Sequence, residues 1–290
     1  MANGTILSKP LLIWKLMRMD KPIGYYLSFY PAVFGLFLAI EQPKNLILIP
    51  LFFIGSIFAR SLECIINDIL DMKFDIHVKR TQDRPLASGE LTIIEALFAM
   101  LIIGVIALAI LLLLTKTAII IGFVAFILML IYPLMKRYTY FPQVFLGVVF
   151  NLGALIGFAA IKDSLNFSVI ILYIGCISWT TGFDIVYGFM DLKYDKQIGV
   201  KSMAMWLENK SYKKWLLLFY TIFILLFTIS MINKYNHFML LGSFISYVLL
   251  FYWVKNIDLN DTNNLLKGFK NQNYIGIILS SSLLLDYFSY

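Results

Sequence analysis

The sequence predicts an all-α integral membrane protein in which nine transmembrane helices form one bundle. Hydrophobic residues make up 60% of the 290-residue chain and charged residues only 14%, whereas about a quarter of the residues in a soluble domain are charged. Nine apolar runs each approach the length of about 20 residues that a helix needs to cross a bilayer. Only short loops separate them, without a Ser/Gly-rich linker or low-complexity tract, so we expect a single membrane-embedded domain over residues 1–290.

Each predicted span is an apolar run bounded by polar or charged residues. The nine spans lie near residues 23–41, 45–66, 92–114, 118–135, 143–161, 167–190, 213–233, 237–254 and 273–289. The second and sixth are expected to continue as helices beyond their apolar parts, because the acidic residues that follow keep a helical phase. Cys64 and Cys176 fall inside spans and are expected to be small buried hydrophobes without a disulfide. With only two histidines beside them, a zinc site lacks ligands at usable spacing.

The positive charges are distributed unevenly between the two sides of the predicted bundle. Most of the 24 lysines and arginines fall in connections on one side, and the opposite connections hold only Lys44, Lys116, Lys162 and Lys234. Because cytoplasmic loops are enriched in Lys and Arg, we expect a cytoplasmic N-terminus and a C-terminus on the outer side. The net charge of +7 is then a topology signal, and no nucleic-acid partner is expected. The N-terminus lacks the features of a signal peptide or transit peptide, which favours a bacterial inner membrane.

Two acidic clusters of matched pattern end the second and sixth spans. The first comprises Asn67, Asp71 and Asp75, and the second Asp184, Asp191 and Asp195. At about 100° per residue, the members of each cluster share one face of a helix. Both clusters end in Asp, an apolar residue, Lys, an aromatic residue and Asp, as in Asp71 to Asp75 and Asp191 to Asp195.

Carboxylates focused in this way repel one another unless a cation lies between them. The all-oxygen donor set of Asn and Asp favours Mg²⁺ or Mn²⁺, and Mg²⁺ in particular binds a few carboxylates together with substrate phosphates. Lysines and arginines predicted on the same side add positive charge that suits a diphosphate: Lys79, Arg80, Arg84, Lys136, Arg137 and Lys201. The alternative is that these acids are solvated interface residues paired with nearby lysines. That interpretation suits one isolated Asp but not two phased clusters of the same pattern.

A diphosphate held beside an apolar helix bundle indicates an isoprenyl diphosphate, whose tail can lie among the helices or open towards lipid. Neutralising the departing diphosphate would generate an allylic cation. A site that excludes water would protect this cation, and aromatic faces such as that of Tyr187 could stabilise it. The lipid bilayer is therefore an expected partner as well as the solvent of the protein.

Several motifs in the chain resemble those of one family of membrane enzymes. They are Met17 to Gly24 (MRMDKPIG), Asn67 to Asp75, His77 to Thr81, Arg84 to Gly89 (RPLASG), Tyr132 to Thr139, Pro142 to Gly147, Asp184 to Ser202, and Asn271 to Gly276. Together they resemble the UbiA-type intramembrane prenyltransferases, and within them those that act on 4-hydroxybenzoate in ubiquinone biosynthesis. The resemblance implies the UbiA-type prenyltransferase fold, with an active site closed by loops on the cytoplasmic side.

The resemblance also implies roles for individual residues. The metal ligands would be Asn67, Asp71, Asp75, Asp184, Asp191 and Asp195, with Asp71 and Asp191 also catalytic. Substrate contacts would come from Asp68, Lys79, Arg80, Arg84, Lys136 and Lys201, with Arg60 as a second-rank choice and Arg137 as the candidate for the carboxylate of the aromatic acceptor. Tyr187 is a further substrate-binding candidate because of its aromatic face. By helical angle, Asp68 lies at the edge of the first acidic face.

The reaction implied by the resemblance joins a polyprenyl group to the ring carbon ortho to the hydroxyl of 4-hydroxybenzoate. Asp191 is a candidate for contact with the phenol or the departing proton, although metal ligation is its stronger assignment. Three departures from the family pattern stand out: Lys193 and Tyr194 where relatives carry further acids, Ile185 where Thr is common, and Glu63 where a small residue is usual. Glu63 follows Arg60 at i, i+3, a spacing that allows an ion pair.

Two alternatives remain at this point. Intramembrane carboxylates also occur in ion-coupled transporters, but here both clusters end at one edge of the membrane. A nearer alternative is a UbiA-type enzyme with another acceptor, such as haem, homogentisate or a naphthoate. Nothing in the acidic clusters identifies the aromatic ring.

Overall fold

The computed structural model describes residues 8–76 and 81–289, and within them the chain is helical throughout its regular structure. The helices are α1 (Lys9–Leu16), α2 (Ile23–Ala39), a 3₁₀ helix (Pro43–Ile47), α3 (Leu48–Asp75), α4 (Ile93–Leu111), α5 (Lys116–Tyr138), α6 (Pro142–Phe150), α7 (Leu152–Lys162), α8 (Phe167–Ile198), α9 (Met203–Leu207), α10 (Tyr212–Met231), α11 (His237–Lys255), α12 (Thr262–Lys270) and α13 (Gln272–Ser289).

Each of the nine predicted spans corresponds to a helix or to a pair of helices. Within the described residues, seven segments are long and apolar enough to cross a membrane, and α2 and α13 account for the first and last predicted spans. The fifth span was predicted as one helix and is instead divided at Asn151 into α6 and α7. The buried Asn151 amide donates to the carbonyl of Gly147 and to Thr180 Oγ1, both at 2.8 Å. A side chain that competes for a backbone carbonyl in this way is a recognised cause of a helix break.

Helices α3 and α8 extend well beyond the thickness of a bilayer core. They contain 28 and 32 residues, or roughly 42 and 48 Å of helix, against a hydrocarbon thickness of about 30 Å. The predicted continuation of both spans is therefore confirmed. Three spans separate α3 from α8, so the two helices run in the same direction, and their C-terminal acidic clusters lie on the same side.

The main core is built around α8, which packs against α6, α10 and α12. Trp179 of α8 is fully buried and stacks on Phe223 of α10 at a centroid distance of 4.9 Å. Its indole nitrogen donates to Gln272 Oε1 at 2.8 Å, so the polar end of the ring is paired inside the bundle. This contact also ties α13 to α8.

Helices α2 and α7 cross at very short range. A Cβ added at Gly35 would lie 1.9 Å from the carbonyl oxygen of Ala154, and one added at Gly157 would lie 2.1 Å from that of Ala32. Small residues at such crossings allow membrane helices to approach backbone to backbone.

A second, smaller core supports the loop that follows the first acidic cluster. Leu12 and Leu16 of α1 pack with Leu62 of α3 and with Leu86 and Leu91 of the loop at 81–91. Helix α1 thereby connects the loop to the helix that carries the cluster.

Large apolar side chains are exposed on the periphery of the bundle, for example Phe98 and Leu101 of α4 and Phe244 of α11. Exposed apolar residues along membrane-length helices form the surface that faces lipid.

Candidate active site

The first acidic cluster lies on the C-terminal half of α3. Asn67 and Asp71 are half-buried and Asp75 is buried. Lys136 Nζ, from the last turn of α5, forms an ion pair with Asp71 Oδ2. Asp71 Oδ1 is buried and accepts no hydrogen bond from any described residue. One oxygen of this carboxylate is thus available inside the site, and buried polar atoms of this kind call for a ligand or water.

A set of alternating charges surrounds the end of α3. Arg84 Nη1 donates to Asp68 Oδ1 at 3.0 Å and to Asp75 Oδ2 at 2.7 Å. Arg18 Nη2 contacts both oxygens of Asp68, at 2.6 and 2.8 Å. Burial raises the pKa of Asp75, and the charge of Arg84 acts against this rise. The hydroxyl of Thr81 donates to the carbonyl of Asp75 at 3.1 Å and so closes the end of the helix.

The second acidic cluster lies on the C-terminal half of α8, where Asp184, Asp191 and Asp195 are all half-buried. Asp184 lies within electrostatic reach of Arg60, Asp191 and Asp195. Tyr132 of α5 in turn lies within reach of both Asp184 and Asp71. One acidic residue of each cluster is therefore close enough to Tyr132 to act on it electrostatically.

Arg60 and Glu63 form the ion pair that their i, i+3 spacing predicts. The Arg60 guanidinium also lies over the ring of Phe150, 5.5 Å from its centroid. Gly24 of α2 makes room for this side chain, because a Cβ there would lie 2.8 Å from Arg60 Nε. Arg60 thus lies beside α2 and α6, and it is within electrostatic reach of Asp184 on α8.

The other predicted substrate contacts that the structure describes lie around the same end of the bundle. Lys201 is held at the end of α5, where its backbone N–H donates to the carbonyl of Lys136 at 2.7 Å and its Nζ to that of Tyr138 at 3.2 Å. Arg137 is exposed in the last turn of α5. The ring of Tyr187 packs against Phe269 of α12 at 4.9 Å. Lys79 and Arg80 lie outside the described residues.

The donor set fits a hard divalent cation bound together with a phosphate ligand. Within residues 8–76 and 81–289, no three Asp, Glu, His or Cys side chains form a preassembled metal cluster. Mg²⁺ does not require one, because it typically takes one or two carboxylates and completes its shell with water and substrate phosphates. The unpartnered Asp71 Oδ1 is the clearest available donor, and the other Asp side chains and Asn67 offer further oxygens.

Known proteins resemble this chain over most of its length. The sequence profile described as the UbiA prenyltransferase family matches residues 28–275. The chain belongs to the UbiA prenyltransferase family. It is 33% identical over 275 residues to the 4-hydroxybenzoate octaprenyltransferase of Francisella tularensis subsp. mediasiatica (strain FSC147), covering 94% of this chain and 96% of that protein. It is also 33% identical over 274 residues to the enzyme of the same name from Pasteurella multocida (strain Pm70), with 94% of each chain covered.

Solved structures show the same fold at lower sequence identity. The apo structure of a UbiA homolog from Aeropyrum pernix K1 superposes with a TM-score of 0.77 at 20% identity, covering 91% of this chain and 98% of that one. A UbiA homolog from Archaeoglobus fulgidus bound to GPP and Mg²⁺ superposes with a TM-score of 0.66 at 15% identity, covering 94% and 98% of the two chains. The predicted family and fold are thereby confirmed. The protein is a multi-pass membrane prenyltransferase, which removes the transporter alternative.

Some residues of this UbiA-family site were not expected from the sequence. Tyr132 lies within a predicted apolar span, so the sequence gives no reason to single it out. Its position near Asp71 and Asp184 depends on how α5 packs. Arg18 is one of several basic residues near a membrane boundary, and its pairing with Asp68 depends on how α1 packs. Asp68, expected to contact substrate, has a side chain only 2% exposed that is engaged by Arg18 and Arg84.

Proposed function

We propose that this protein is a Mg²⁺-dependent aromatic prenyltransferase that transfers a polyprenyl group from polyprenyl diphosphate to 4-hydroxybenzoate and releases diphosphate. The new bond forms at the ring carbon ortho to the hydroxyl, the prenylation step of ubiquinone biosynthesis. The 33% identity to 4-hydroxybenzoate octaprenyltransferases over nearly the whole chain supports this acceptor. The observation that supports the chemistry is Asp71, which has one oxygen paired with Lys136 and one without a partner inside the site.

The metal would be held between the two acidic clusters. Asn67, Asp71 and Asp75 offer oxygens from α3, and Asp184, Asp191 and Asp195 offer them from α8. Mg²⁺, for which Mn²⁺ could substitute, supplies charge that stabilises the diphosphate as it leaves. The complexes of the Archaeoglobus fulgidus homolog with GPP or DMAPP and Mg²⁺ support this assignment.

The basic residues around the clusters bind and orient the diphosphate. Lys136 and Arg84 already face the carboxylates of the first cluster, and Lys201 is held at the end of α5. Lys79 and Arg80 are proposed to contribute to the same binding. Positive groups that the fold already holds around a leaving group lower the activation barrier of the reaction, because they do not have to reorganise as charge develops.

The bond changes follow from the substrates. The C–O bond of the prenyl diphosphate breaks, and both of its electrons leave with the diphosphate oxygen. The allylic cation that results is attacked by the electron-rich ring carbon ortho to the hydroxyl, which forms the new C–C bond. The proton on that carbon then leaves, and aromaticity returns. The apolar walls exclude water from the cation, and the faces of Tyr187 and its neighbours can stabilise it.

Asp191 is assigned primarily as a metal ligand. A carboxylate bound to a cation is a weak base because the cation stabilises its ionised form. Its position on the acidic face of α8 also allows it to approach the phenol or the departing proton.

The acceptor pocket is proposed to involve two guanidinium groups. Arg137 is exposed at the end of α5 and is assigned to the carboxylate of 4-hydroxybenzoate. Arg60 lies deeper, paired with Glu63 beside Phe150. Because Glu63 pairs with Arg60, part of the positive charge on this side of the pocket is already neutralised.

We further propose that the protein lies in a bacterial inner membrane with its active site facing the cytoplasm. The excess of Lys and Arg on the side of the acidic clusters supports this orientation. The charged substrates would enter from that side, and the polyprenyl tail would lie among the helices or in the lipid.

A competition assay tests the proposal. Purified protein in detergent is incubated with Mg²⁺, polyprenyl diphosphate and an equimolar mixture of 4-hydroxybenzoate, homogentisate, a naphthoate and haem. We expect prenylated 4-hydroxybenzoate as the main product, formed with an equal amount of diphosphate and abolished by EDTA. A different prenylated acceptor would overturn the assigned substrate, and product formation that is insensitive to EDTA would overturn the metal requirement.

A further inference from the structure

Arg18 occupies a backbone position that normally suits glycine. Its φ is 61°, in the left-handed region, directly after α1. The N–H of Arg18 donates to the carbonyl of Lys15 at 2.9 Å, and that of Met19 to Trp14 at 3.0 Å. These two bonds form a Schellman cap, in which glycine is favoured because it has no Cβ to oppose this conformation. An arginine held there indicates that its side chain has a role.

The Arg18 side chain connects α1 to the middle of the first acidic motif. Its Nη1 donates to the carbonyl of Lys15 at 3.1 Å, and its Nη2 contacts Asp68 Oδ1 and Oδ2 at 2.6 and 2.8 Å. The two side chains are 18% and 2% exposed. Charge-assisted hydrogen bonds with so little access to water hold their partners in a defined geometry.

Asp68 also connects Arg18, through Arg84, to the end of α3. Its Oδ1 also accepts from Arg84 Nη1, and the same nitrogen donates to Asp75 Oδ2 at 2.7 Å. Arg18, Asp68, Arg84 and Asp75 therefore form a chain of alternating charges. The last member is a proposed ligand of the metal and diphosphate site.

The start of this chain is firmly attached to the bundle. The carbonyl of Met17 accepts from Tyr25 Oη at 3.0 Å and from Ser61 Oγ at 3.4 Å. Leu16 is fully buried against the core that includes Leu62. Arg18 thus extends from a fixed point beside α3.

We propose that Arg18 is a positioning residue for the diphosphate and Mg²⁺ site, acting through Asp68 and Arg84 on Asp75. While Arg18 neutralises Asp68, Arg84 can hold Asp75 in place. Without Arg18, the buried Asp68 draws Arg84 towards itself, and Asp75 loses its fixed orientation. This inference rests on the proposed function, because it concerns the binding step that precedes prenyl transfer.

The test uses Arg18→Gly, because glycine suits the backbone at this position. Binding of geranyl diphosphate to purified protein in detergent is measured against Mg²⁺ concentration, with no aromatic acceptor present. We expect the Mg²⁺ concentration for half-maximal binding to rise at least fivefold. A purely structural role would reduce the fraction of active protein and leave this midpoint unchanged, so an unchanged midpoint in folded Arg18→Gly protein would overturn the inference.

Lys9→Ala is the matched control. Lys9 also lies on α1 and forms an ion pair, with Glu95 at 2.9 Å, but its side chain is 57% exposed and its partners, Glu90 and Glu95, belong to neither acidic cluster. Its removal should leave the Mg²⁺ midpoint unchanged, and an equal shift in this control would show that any loss of charge on α1 has the same effect. If Arg18→Gly does not fold, Arg18→Lys takes its place, since it keeps the charge but not the planar fork, and a twofold or greater rise is expected.

A double-mutant cycle tests the route through Asp68. Asp68→Asn alone should also raise the Mg²⁺ midpoint, and Arg18→Gly combined with Asp68→Asn should be no worse than the more affected single variant. Effects that multiply would show that Arg18 acts by another route and would overturn the inference. Since no acceptor is used, failure of the wild-type protein to prenylate 4-hydroxybenzoate would refute the proposed reaction without affecting this test.

Discussion

Replacing Asp71 by asparagine would remove one negative charge from the centre of the candidate site and leave the size of the side chain unchanged. Asp71 Oδ2 pairs with Lys136, and Oδ1 has no partner among the described residues. The substitution therefore removes the counter-charge of Lys136 and replaces the carboxylate that is the clearest metal donor by a neutral amide. Its effects on stability and on catalysis should differ widely in size.

The stability effect of Asp71→Asn should be small. The Asp71 and Lys136 side chains are 13% and 31% exposed, so the pair is partly screened and contributes about 1 kcal/mol. Against a typical folding free energy of about 5 to 15 kcal/mol, the variant should remain folded. The thermal unfolding midpoint in detergent measures this effect.

The catalytic effect should be much larger. Removing a single preorganised electrostatic group from a site of this kind lowers kcat by about 100- to 1,000-fold, or about 2.7 to 4 kcal/mol. The assay is the initial rate of prenylated product at saturating Mg²⁺ and substrates. If Asp71→Asn retained more than a tenth of the wild-type rate while folded, Asp71 would not be at the reacting centre.

Asp286→Ala provides the opposite signature. Asp286 is fully buried and accepts from the N–H groups of Phe238 and Met239 at 3.1 and 2.8 Å. Its loss leaves two donors at the start of α11 without a partner, which costs about 1 to 3 kcal/mol. The unfolding midpoint should fall and kcat should not change. This variant therefore distinguishes the effect of losing a buried structural carboxylate from the effect of losing a catalytic one.

Three further predictions concern the acceptor pocket, helix packing and pH. Glu63→Gln should lower the KM for 4-hydroxybenzoate about threefold to tenfold, equivalent to about 1 kcal/mol, because Arg60 is released from its ion pair with Glu63. A higher KM for 4-hydroxybenzoate, or a changed KM for the prenyl diphosphate, would contradict this role. Gly157→Ala should destabilise the protein by about 1 to 3 kcal/mol, because the added Cβ would lie 2.1 Å from the Ala32 carbonyl oxygen. In the control Gly104→Ala, the added Cβ would lie 4.0 Å from its nearest neighbour. This variant should not lower the unfolding midpoint. Burial lowers the pKa of Lys234 from 10.5 to about 8, so the folded state loses this proton at a lower pH than the unfolded state. The stability of the wild type relative to Lys234→Met should therefore rise between these pH values. A wild-type unfolding midpoint that stays constant or falls relative to that of Lys234→Met over this range would refute the assignment.

The sequence alone was sufficient for the membrane bundle and for the composition of the two acidic clusters. The length of an apolar run is a local property of the sequence, and it determines whether a helix can cross the bilayer. Each of the nine predicted spans corresponds to a helix or to a pair of helices. Helical phase is also local, which is why the extension of α3 and α8 and the Arg60–Glu63 pair could be predicted. The break at Asn151 could not, because it depends on Thr180, a partner on another helix.

The tertiary structure decided which charges meet. Lys136 was predicted as a diphosphate contact, but its pairing with Asp71 joins residues 65 positions apart. Likewise, the contact between Arg18 and Asp68 spans 50 positions, and the left-handed backbone of Arg18 has no signature in composition or periodicity. Hydropathy and phase determine where each helix lies in the membrane and which face is polar. Only the packing of α1 and α5 against α3 brings Arg18 and Lys136 to within hydrogen-bonding distance of the first cluster, because the ion pairs depend on the rotation and depth of helices that are remote in sequence.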